Sequence, residues 1–294
     1  MTLFGRPVGI WTGALEALPP PALCEQVAAL DEQGWASLWY GEAYGREAFT
    51  NAAMVLGASE RLKVGTGIAN IYGRDAVAMK SAALTVAAQF PGRFVCGMGV
   101  SHQPLVERMR GHKYTGPVST MRAYLDAMDQ APYLAVAPAE PPPFVLAALG
   151  PRMLELARDR TAGAHPYLTT PEHTAQAKQI LGPDKELVVE MAAVLSDDPD
   201  VWKARAHWHL EIYTGLPNYV NNWKRLGFGD DDAVRGGSDR LKEALVARGE
   251  TAIRAKVDEH LEAGATQVVV QVLGEGPGDV PADDWRRLAP ALTS

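Results

Sequence analysis

The residues best suited to proton chemistry follow short apolar runs, at the points where strands are expected to end. Glu42 comes directly after the run 37–40, and Ser101 and His102 follow the run 94–98. Carboxylate and imidazole side chains are common general acids and bases. Because parallel strands carry their loops to the same edge, these side chains are expected to meet at one mouth. Glu42 and His102 are therefore the candidate catalytic residues.

Both candidates also have an ordinary structural interpretation. A carboxylate at a barrel mouth is often paired with an arginine, and Arg46 is close enough in sequence to Glu42 to serve. His102 could cap its loop or bind a backbone carbonyl. His165 follows a later strand and is a weaker candidate, because no carboxylate has a spacing that would assist it.

Glycines interrupt the run 62–68. Gly65 and Gly67 indicate either a β-bulge or a place where a ligand approaches the backbone closely. Asn70 ends this run, and asparagine at a strand end is usually a turn residue because it tolerates left-handed backbone. A cofactor contact is the alternative for each of these residues.

Gly150-Pro151-Arg152 is predicted to open a helix, because proline suits the first helical turn. The N–H groups of a first turn have no partner inside the helix, so they can attract a phosphate. This segment is therefore either a simple helix start or an anion site.

Composition and missing motifs disfavour several classes of protein. The net charge of -7 on 294 residues disfavours nucleic acid or an anionic membrane as partner. Two cysteines give no disulfide framework, His207 and His209 have no further ligands beside them, and no metal site is expected. No nucleophile elbow marks a hydrolase, and a lone Gly97-x-Gly99 is too weak to indicate a dinucleotide fold. Without a leader-like start or a run of about 18 apolar residues, a cytoplasmic protein is expected.

Eight short apolar runs alternate with helical segments along the chain. The strands are predicted at 7–12, 37–40, 62–68, 94–98, 144–149, 162–168, 187–195 and 268–273. No linker or repeat divides the sequence. We therefore expect one (β/α)8 barrel domain over 1–294, with insertions in the loops of its carboxyl-terminal face. A doubly wound open sheet is the rival, but it has no use for the eighth strand.

Several motifs occur in a fixed order along nearly the whole chain. They are Ser37–Glu42, Gly65–Asn70, Arg74-Asp75, Pro91–Phe94, Gly97–His102, Leu149–Pro151 and Gly264–Thr266. Each motif is common alone, but the ordered set resembles the luciferase-like monooxygenase superfamily, and its coenzyme F420-dependent oxidoreductase branch in particular. Two positions depart from that pattern. Thr161-Ala162-Gly163 stands where an Ala-Asp-Gly triplet is frequent, and Glu42 stands where histidine is frequent.

The resemblance implies a barrel that holds a flavin or deazaflavin at its carboxyl-terminal mouth, often as a homodimer. The matching positions predict the cofactor contacts, with the phosphate side at Gly150–Arg152: Gly67, Ile68, Ala69, Asn70, Gly99, Ser101, Leu149, Gly150, Pro151, Arg152 and His165. Relatives that resemble this chain carry a bulge with a non-prolyl cis peptide behind the central ring. The resemblance therefore also predicts a cis bond between Gly67 and Ile68.

The preferred function is an F420-dependent oxidoreductase that moves a hydride between the deazaflavin C5 and a small organic substrate, with Glu42 or His102 handling the proton. A variant binds FMN and activates oxygen. The non-enzymatic alternative is a degenerate flavin-binding barrel. The joint presence of Glu42, Asn70, Ser101 and His102 argues against that last hypothesis.

Overall fold

The structure is a computed structural model that describes residues 3–293. Its strands are β1 Val8–Trp11, β2 Ser37–Tyr40, β3 Lys63–Thr66, β4 Ala69–Asn70, β5 Phe94–Gly99, β6 Phe144–Leu146, β7 Gly163–Ala164, β8 Glu186–Val194, β9 Val246–Arg248 and β10 Gln267–Val272. Its α-helices are α1 Pro20–Glu32, α2 Ala48–Gly57, α3 Ala76–Gln89, α4 Pro117–Gln130, α5 Pro151–Arg160, α6 Pro171–Leu181, α7 Pro199–Tyr213, α8 Pro217–Arg225, α9 Asp239–Leu245, α10 Gly249–Glu262 and α11 Ala282–Leu292.

The strands close into a barrel whose pairs are all parallel. The last strand, β10, pairs with β1 through Val268 and Val8, and with β8 through Gln267 and Val188. Helices connect successive strands and cover the outside, as parallel pairing requires. The predicted (β/α)8 barrel is confirmed, and a doubly wound open sheet is excluded by the closure.

The barrel interior is filled by one compact apolar layer rather than left open. Trp39 lies at its centre, completely buried, and its indole N–H donates to Ser37 and Gln267 at 3.1 and 3.3 Å. Around it pack Phe4, Trp11, Val95, Val145, Val188 and Val269. Gly65 leaves space for the Trp39 ring, because a β-carbon at that position would overlap the ring. This layer forms the floor below the mouth.

The sixth strand is much shorter than predicted, and β9 was not predicted. Only Gly163 and Ala164 form β7, because Pro166 has no N–H to donate and Leu168 adopts a left-handed backbone with φ 52°. The segment 200–264, between the last two predicted strands, contains β9, which pairs with β8 at residues 192–194. The strand β9 lengthens the barrel wall where β7 stops.

Helices α7 and α8 cover the mouth of the barrel on the side of β7 and β8. Trp202 and Leu210 of α7, with Tyr219 and Trp223 of α8, pack with Leu168 into a second apolar cluster above the barrel layer. Burial of such large side chains fixes these helices over the strand ends. Among residues 3–293, no helix has the length and apolar character to cross a bilayer.

Candidate functional site

The third strand is broken by a bulge at Gly67 and Ile68. Both halves pair with β5, Gly65 opposite Val95 and Ala69 opposite Met98. Four residues on one strand therefore match three on the other, which is a β-bulge. The peptide bond between Gly67 and Ile68 is cis, as predicted.

Two buried ring nitrogens face Gly67. A β-carbon at Gly67 would lie 2.7 Å from both His165 Nε2 and Trp11 Nε1. Neither nitrogen has a hydrogen-bond partner within the described residues. His165 Nδ1 donates to the Val188 carbonyl oxygen at 2.8 Å, which leaves Nε2 as an acceptor beside the Trp11 donor. Burial lowers the pKa of His165 to about 4, so the ring is neutral at neutral pH.

The bulge continues into Asn70, whose side chain is only half satisfied. Its Oδ1 accepts from the Tyr72 N–H at 2.9 Å, while its Nδ2 is buried and has no partner in the described part of the chain. Ile68 packs on Gly99, where a β-carbon would approach the Ile68 side chain to 2.6 Å. Segment 67–70 therefore presents bare backbone and one buried amide donor, and the ring nitrogens of His165 and Trp11 face it.

Glu42 is held in an ion pair. Both oxygens accept from the Arg74 guanidinium, and Glu42 Oε2 also accepts from the Asn70 backbone N–H at 2.8 Å. The Glu42 and Arg74 side chains are 8% and 9% exposed, so this bidentate pair is largely shielded from water. Arg46, the arginine suggested by proximity, instead donates to the Leu15 and Leu18 carbonyls, because its loop folds back over the turn after β1.

Ser101 and His102 lie where β5 leaves the barrel. Ser101 has left-handed backbone with φ 57°, and its carbonyl accepts from the Tyr114 hydroxyl at 3.3 Å. The His102 ring lies 5.6 Å from the Tyr219 ring. Burial lowers the pKa of His102, and the Asn218 side chain beside it partly opposes this. A neutral imidazole at the edge of the mouth is able to accept a proton.

The start of α5 matches the predicted phosphate side in its backbone. Pro151 is the first helical residue, and no side chain within residues 3–293 caps this helix start. The Leu149 carbonyl accepts from His173 Nε2 at 2.9 Å. A β-carbon at Gly150 would lie 3.7 Å from the Arg225 guanidinium, an arginine that sequence reasoning did not single out.

Two arginines, Arg225 and Arg152, lie near this helix start. Arg225 donates to the Asn222 amide oxygen at 3.0 Å and forms no salt bridge within residues 3–293. Arg152 is exposed and lines a surface cavity of about 390 Å³ with Arg122, between α4 and α5. A bare helix start with an arginine close by is a favourable place for an anion.

A tyrosine cluster and a buried carboxyl complete the mouth, and sequence reasoning missed both. The Tyr213 hydroxyl donates to Tyr167 at 3.0 Å, and the Tyr167 hydroxyl donates to Gln271 at 2.6 Å. The Tyr167 ring also lies 5.1 Å from Trp11 and the Tyr213 ring 4.9 Å from Tyr219. Glu190 lies close to these tyrosines and is completely buried.

Glu190 did have a signal in the sequence. It is the single charged residue in the apolar run 187–195, and charged residues are rarely buried in a strand without a function or a partner. The tyrosines had no comparable signal, since they come from three separate segments. The structure therefore gathers Gly67, Asn70 and His165 around the bulge, and holds Glu42 in an ion pair beside them.

Comparison with known proteins agrees with this architecture. The model of the family described as luciferase-like monooxygenase matches residues 3–273. A protein of Mycobacterium tuberculosis (strain ATCC 25618 / H37Rv) that carries the name of a coenzyme F420-dependent oxidoreductase is 32% identical over 126 residues, which cover 43% of this chain and 36% of that protein. The 5,10-methylenetetrahydromethanopterin reductase of Methanolobus tindarius is 25% identical over 284 residues, covering 81% of this chain and 86% of that enzyme.

A solved structure shares the complete fold. The coenzyme F420-dependent tetrahydromethanopterin reductase from Methanopyrus kandleri superposes with a TM-score of 0.77 at 18% identity, over 98% of this chain and 99% of that one. The family model covers nearly all of the barrel, including the bulge and the start of α5. The chain therefore belongs to the luciferase-like monooxygenase family.

Proposed function

We propose that this protein is an oxidoreductase that binds coenzyme F420 and exchanges a hydride between the deazaflavin C5 and a small organic substrate. The main support for this proposal is the β-bulge at Gly67 and Ile68. The resemblance also suggests a homodimer, which sedimentation of the purified protein would test.

The residues around the bulge fit the polar edge of a flat heterocycle. Trp11 Nε1 is a donor and His165 Nε2 an acceptor, both facing Gly67, and Asn70 Nδ2 is a second donor close by. Buried polar groups are normally hydrogen-bonded, so three unpartnered groups in one place favour a ligand with complementary carbonyl and N–H groups. A deazaflavin ring has such an edge and supplies hydride chemistry when bound.

The start of α5 is suited to the phosphate of the same cofactor. The Arg152 N–H is the free donor of this first turn, because Pro151 has no N–H and the Met153 and Leu154 N–H groups donate to the Gly150 carbonyl. The Arg225 guanidinium lies close to Gly150, and no carboxylate in residues 3–293 pairs with Arg225. Backbone N–H groups orient an anion, and arginine can bind it through two donors. Arg152, being exposed, would contribute from the outer side.

Proton handling was predicted for Glu42 or His102, and the geometry favours His102. All strong acceptor positions of the Glu42 carboxylate are used by Arg74, Asn70 and the Ala48 N–H. Moving a proton to Glu42 would therefore break a buried ion pair. His102 is neutral at the edge of the mouth, so it is the better proton acceptor.

The relatives favour F420 over FMN. One carries the name of an F420-dependent oxidoreductase, and the other is a methylenetetrahydromethanopterin reductase. The bulge itself fits either ring, because the unpartnered nitrogens would meet a polar edge that both rings possess. The choice between the two cofactors therefore needs a direct measurement.

Side-by-side titration of the purified protein with F420 and with FMN, followed by absorbance and fluorescence, tests the proposal. We expect tighter binding of F420, and no oxygen consumption when reduced F420 is present. Preferred binding of FMN, with oxygen uptake, would contradict it and indicate a monooxygenase. Binding of neither cofactor would contradict any role for the bulge as a ring site.

The Gly67→Ala variant tests whether the cofactor binds at the bulge. Its methyl group would lie 2.7 Å from His165 and Trp11, so these rings must move, and we expect F420 binding to weaken by about tenfold or more. Gly57→Ala is the matched control, because no atom lies within 4 Å of its β-carbon position. Equal affinity in both variants would place the cofactor elsewhere.

A further inference from the structure

The loop that follows β5 carries a local excess of positive charge. Residues 103–114, here called the basic loop, contain one carboxylate, Glu107, and three cations, which are Arg108, Arg110 and Lys113. The whole chain, in contrast, has a net charge of -7. No salt bridge within residues 3–293 includes any of the three cations. A local basic patch of this kind attracts anionic ligands.

The backbone holds the basic loop in one shape. The loop contains a π-helical turn, Leu105–Met109, and such single turns are frequent at functional sites. The Arg110 N–H donates to the Leu105 carbonyl at 3.2 Å, and the His112 N–H donates to the Val106 carbonyl at 3.1 Å. Val106 is completely buried, which anchors the turn. The charged side chains of the loop are therefore carried on a fixed support.

The Arg110 guanidinium lies beside the end of the bulge segment. A β-carbon at Gly73 would lie 3.2 Å from Arg110 Nη1 and 3.2 Å from the Asn70 carbonyl oxygen. That oxygen accepts from Arg74 Nη1 at 3.2 Å. Arg110 makes no side-chain hydrogen bond within residues 3–293, so its N–H donors are left for water or a ligand.

The carboxylates close to this arginine in the sequence or at the mouth have other partners. Glu42 is paired with Arg74, and Asp75 accepts from the Ala78 N–H at the start of α3. Glu107 accepts from the Tyr114 N–H and from the Gln103 amide, at 3.2 and 3.0 Å. Arg110 is therefore a cation without a counter-ion in the described part of the chain, at the edge of the proposed ring site.

An aromatic wall stands next to Arg110. The Tyr72 ring lies 5.7 Å from the His112 ring and 6.2 Å from the Tyr114 ring. The two tyrosines are half-buried and His112 is exposed, so the wall is partly open to solvent. Burial raises the pKa of Tyr114 to about 12, so this phenol adds no negative charge at neutral pH. Aromatic faces of this kind suit a flat organic body.

We propose that this side of the mouth binds an anionic substrate, with its carboxylate on Arg110 and its organic body against Tyr72 and Tyr114. This inference rests on the proposed function, because it concerns the substrate that meets the cofactor ring. Arginine binds a carboxylate through two parallel N–H bonds, which orients the ligand as well as attracting it. A carboxylate held on Arg110 keeps the substrate next to segment 67–70.

Position, rather than charge alone, distinguishes Arg110 within the basic loop. Arg110 is half-buried beside Gly73, whereas Arg108 is exposed. A solvated surface charge contributes a diffuse attraction that any cation of the loop would supply equally. A binding site at Arg110 requires that one arginine matters and that the other does not.

The first test needs no cofactor. Benzoate, with benzamide as its uncharged isostere, is titrated into ¹⁵N-labelled protein and followed by NMR. We expect benzoate to bind about tenfold more tightly than benzamide or better, with shifts at residues 72 and 110–114. Equal binding of the two probes, no binding of benzoate, or shifts confined to other residues would overturn the proposal.

Two variants then separate a site from a diffuse charge. Arg110→Met should abolish the preference for benzoate, and Arg110→Lys should recover part of it. Arg108→Met is the matched control, because it removes one positive charge from the same loop, and it should keep the preference. An unchanged preference in Arg110→Met, or an equal loss in Arg108→Met, would overturn a site at Arg110. Since the Arg110 side chain has no protein partner within residues 3–293, the variants are expected to fold.

The second test separates a substrate site from a site for the anionic groups of the cofactor. Protein loaded with F420 is titrated with benzoate while the deazaflavin fluorescence is followed. We expect benzoate to change the fluorescence without displacing F420, and Arg110→Met to keep the wild-type affinity for F420. Displacement of F420, or an F420 affinity lowered in Arg110→Met and not in Arg108→Met, would assign Arg110 to the cofactor and overturn the proposal. Benzoate binding that leaves the fluorescence unchanged would place the anion away from the ring and would also overturn it.

The two tests keep this inference and the proposed function apart. F420 binding by a wild-type protein that shows no preference for benzoate would remove the inference alone. A preference for benzoate at Arg110 in a protein that binds no F420 would remove the proposed function, and with it the assignment of the anion as substrate.

Discussion

Two carboxyl groups lie at the same barrel mouth in opposite environments. Glu42, after β2, is bound by a guanidinium and two backbone N–H groups. Glu190, on β8, has one backbone N–H and three phenol rings. The first forms a bidentate ion pair with Arg74, whereas burial raises the pKa of the second to about 8 and no salt bridge within residues 3–293 includes it. Position at the mouth therefore does not decide which carboxyl exchanges protons, since the partners decide it.

The largest effect should come from removing the partner of Glu42. Arg74→Met leaves a carboxylate buried without its ion pair, and the free energy of unfolding should fall by about 3–5 kcal/mol. Denaturant unfolding measures this. The control is Arg160→Met, which loses only exposed pairs with Asp126 and Asp129 and should lose no more than about 1 kcal/mol. Equal losses would mean that the buried Glu42–Arg74 pair stabilises the fold no more than the exposed pairs of Arg160.

The raised pKa of Glu190 should make the free energy of unfolding depend on pH. Its pKa in the fold is raised to about 8 from an ordinary 4.5, so the folded protein holds this proton more tightly than the unfolded chain. Stability relative to Glu190→Gln should therefore fall as pH rises from about 4.5 to about 8, by up to a few kcal/mol, and stay level beyond. Unfolding of both proteins across this range measures the difference. A difference that does not change with pH would contradict a neutral Glu190.

Removing the Tyr213 hydroxyl, near Glu190, should lower the free energy of unfolding less than removing Arg74. Tyr213→Phe removes one hydrogen bond to Tyr167, while Tyr167 still donates to Gln271. We expect a loss of about 0.5–1.5 kcal/mol in thermal unfolding. Tyr44→Phe, at a side chain 72% exposed, is the control and should change little. A loss above that range would indicate that the tyrosine cluster is held as cooperatively as the Glu42 ion pair.

The smallest effect is expected at Arg46. Arg46→Met removes bonds to two carbonyls of the turn after β1 and leaves the Glu42–Arg74 pair intact, so the loss should be about 1 kcal/mol or less. Urea unfolding of Arg46→Met and Arg74→Met under the same conditions compares the two losses of free energy directly. If Arg46→Met proved the more harmful variant, the assignment of Arg74 as the partner of Glu42 would have to be abandoned.

The fold was predictable because its signals are local. Short apolar runs between helical segments predict a barrel, and Gly65 with Gly67 indicated the bulge that the structure contains. The strand β9 was missed because three residues within a long helical segment carry no periodic signal of their own.

The environments of the two carboxyl groups were not predictable, because they depend on distant residues. Arg74 is 32 positions from Glu42, and the rings above Glu190 come from positions 167, 213 and 219. As the single charged residue in an apolar strand, Glu190 could be recognised as unusual from the sequence. Its protonation follows from complete burial in the fold, which raises the pKa of Glu190 to about 8.

A crystal structure of the protein with bound F420 tests the central claim most directly. The account predicts the deazaflavin ring against residues 67–70, with its polar edge bound by Trp11, His165 and Asn70 and its phosphate at the start of α5. A ring bound away from the bulge, or a phosphate bound away from Gly150, would contradict the account.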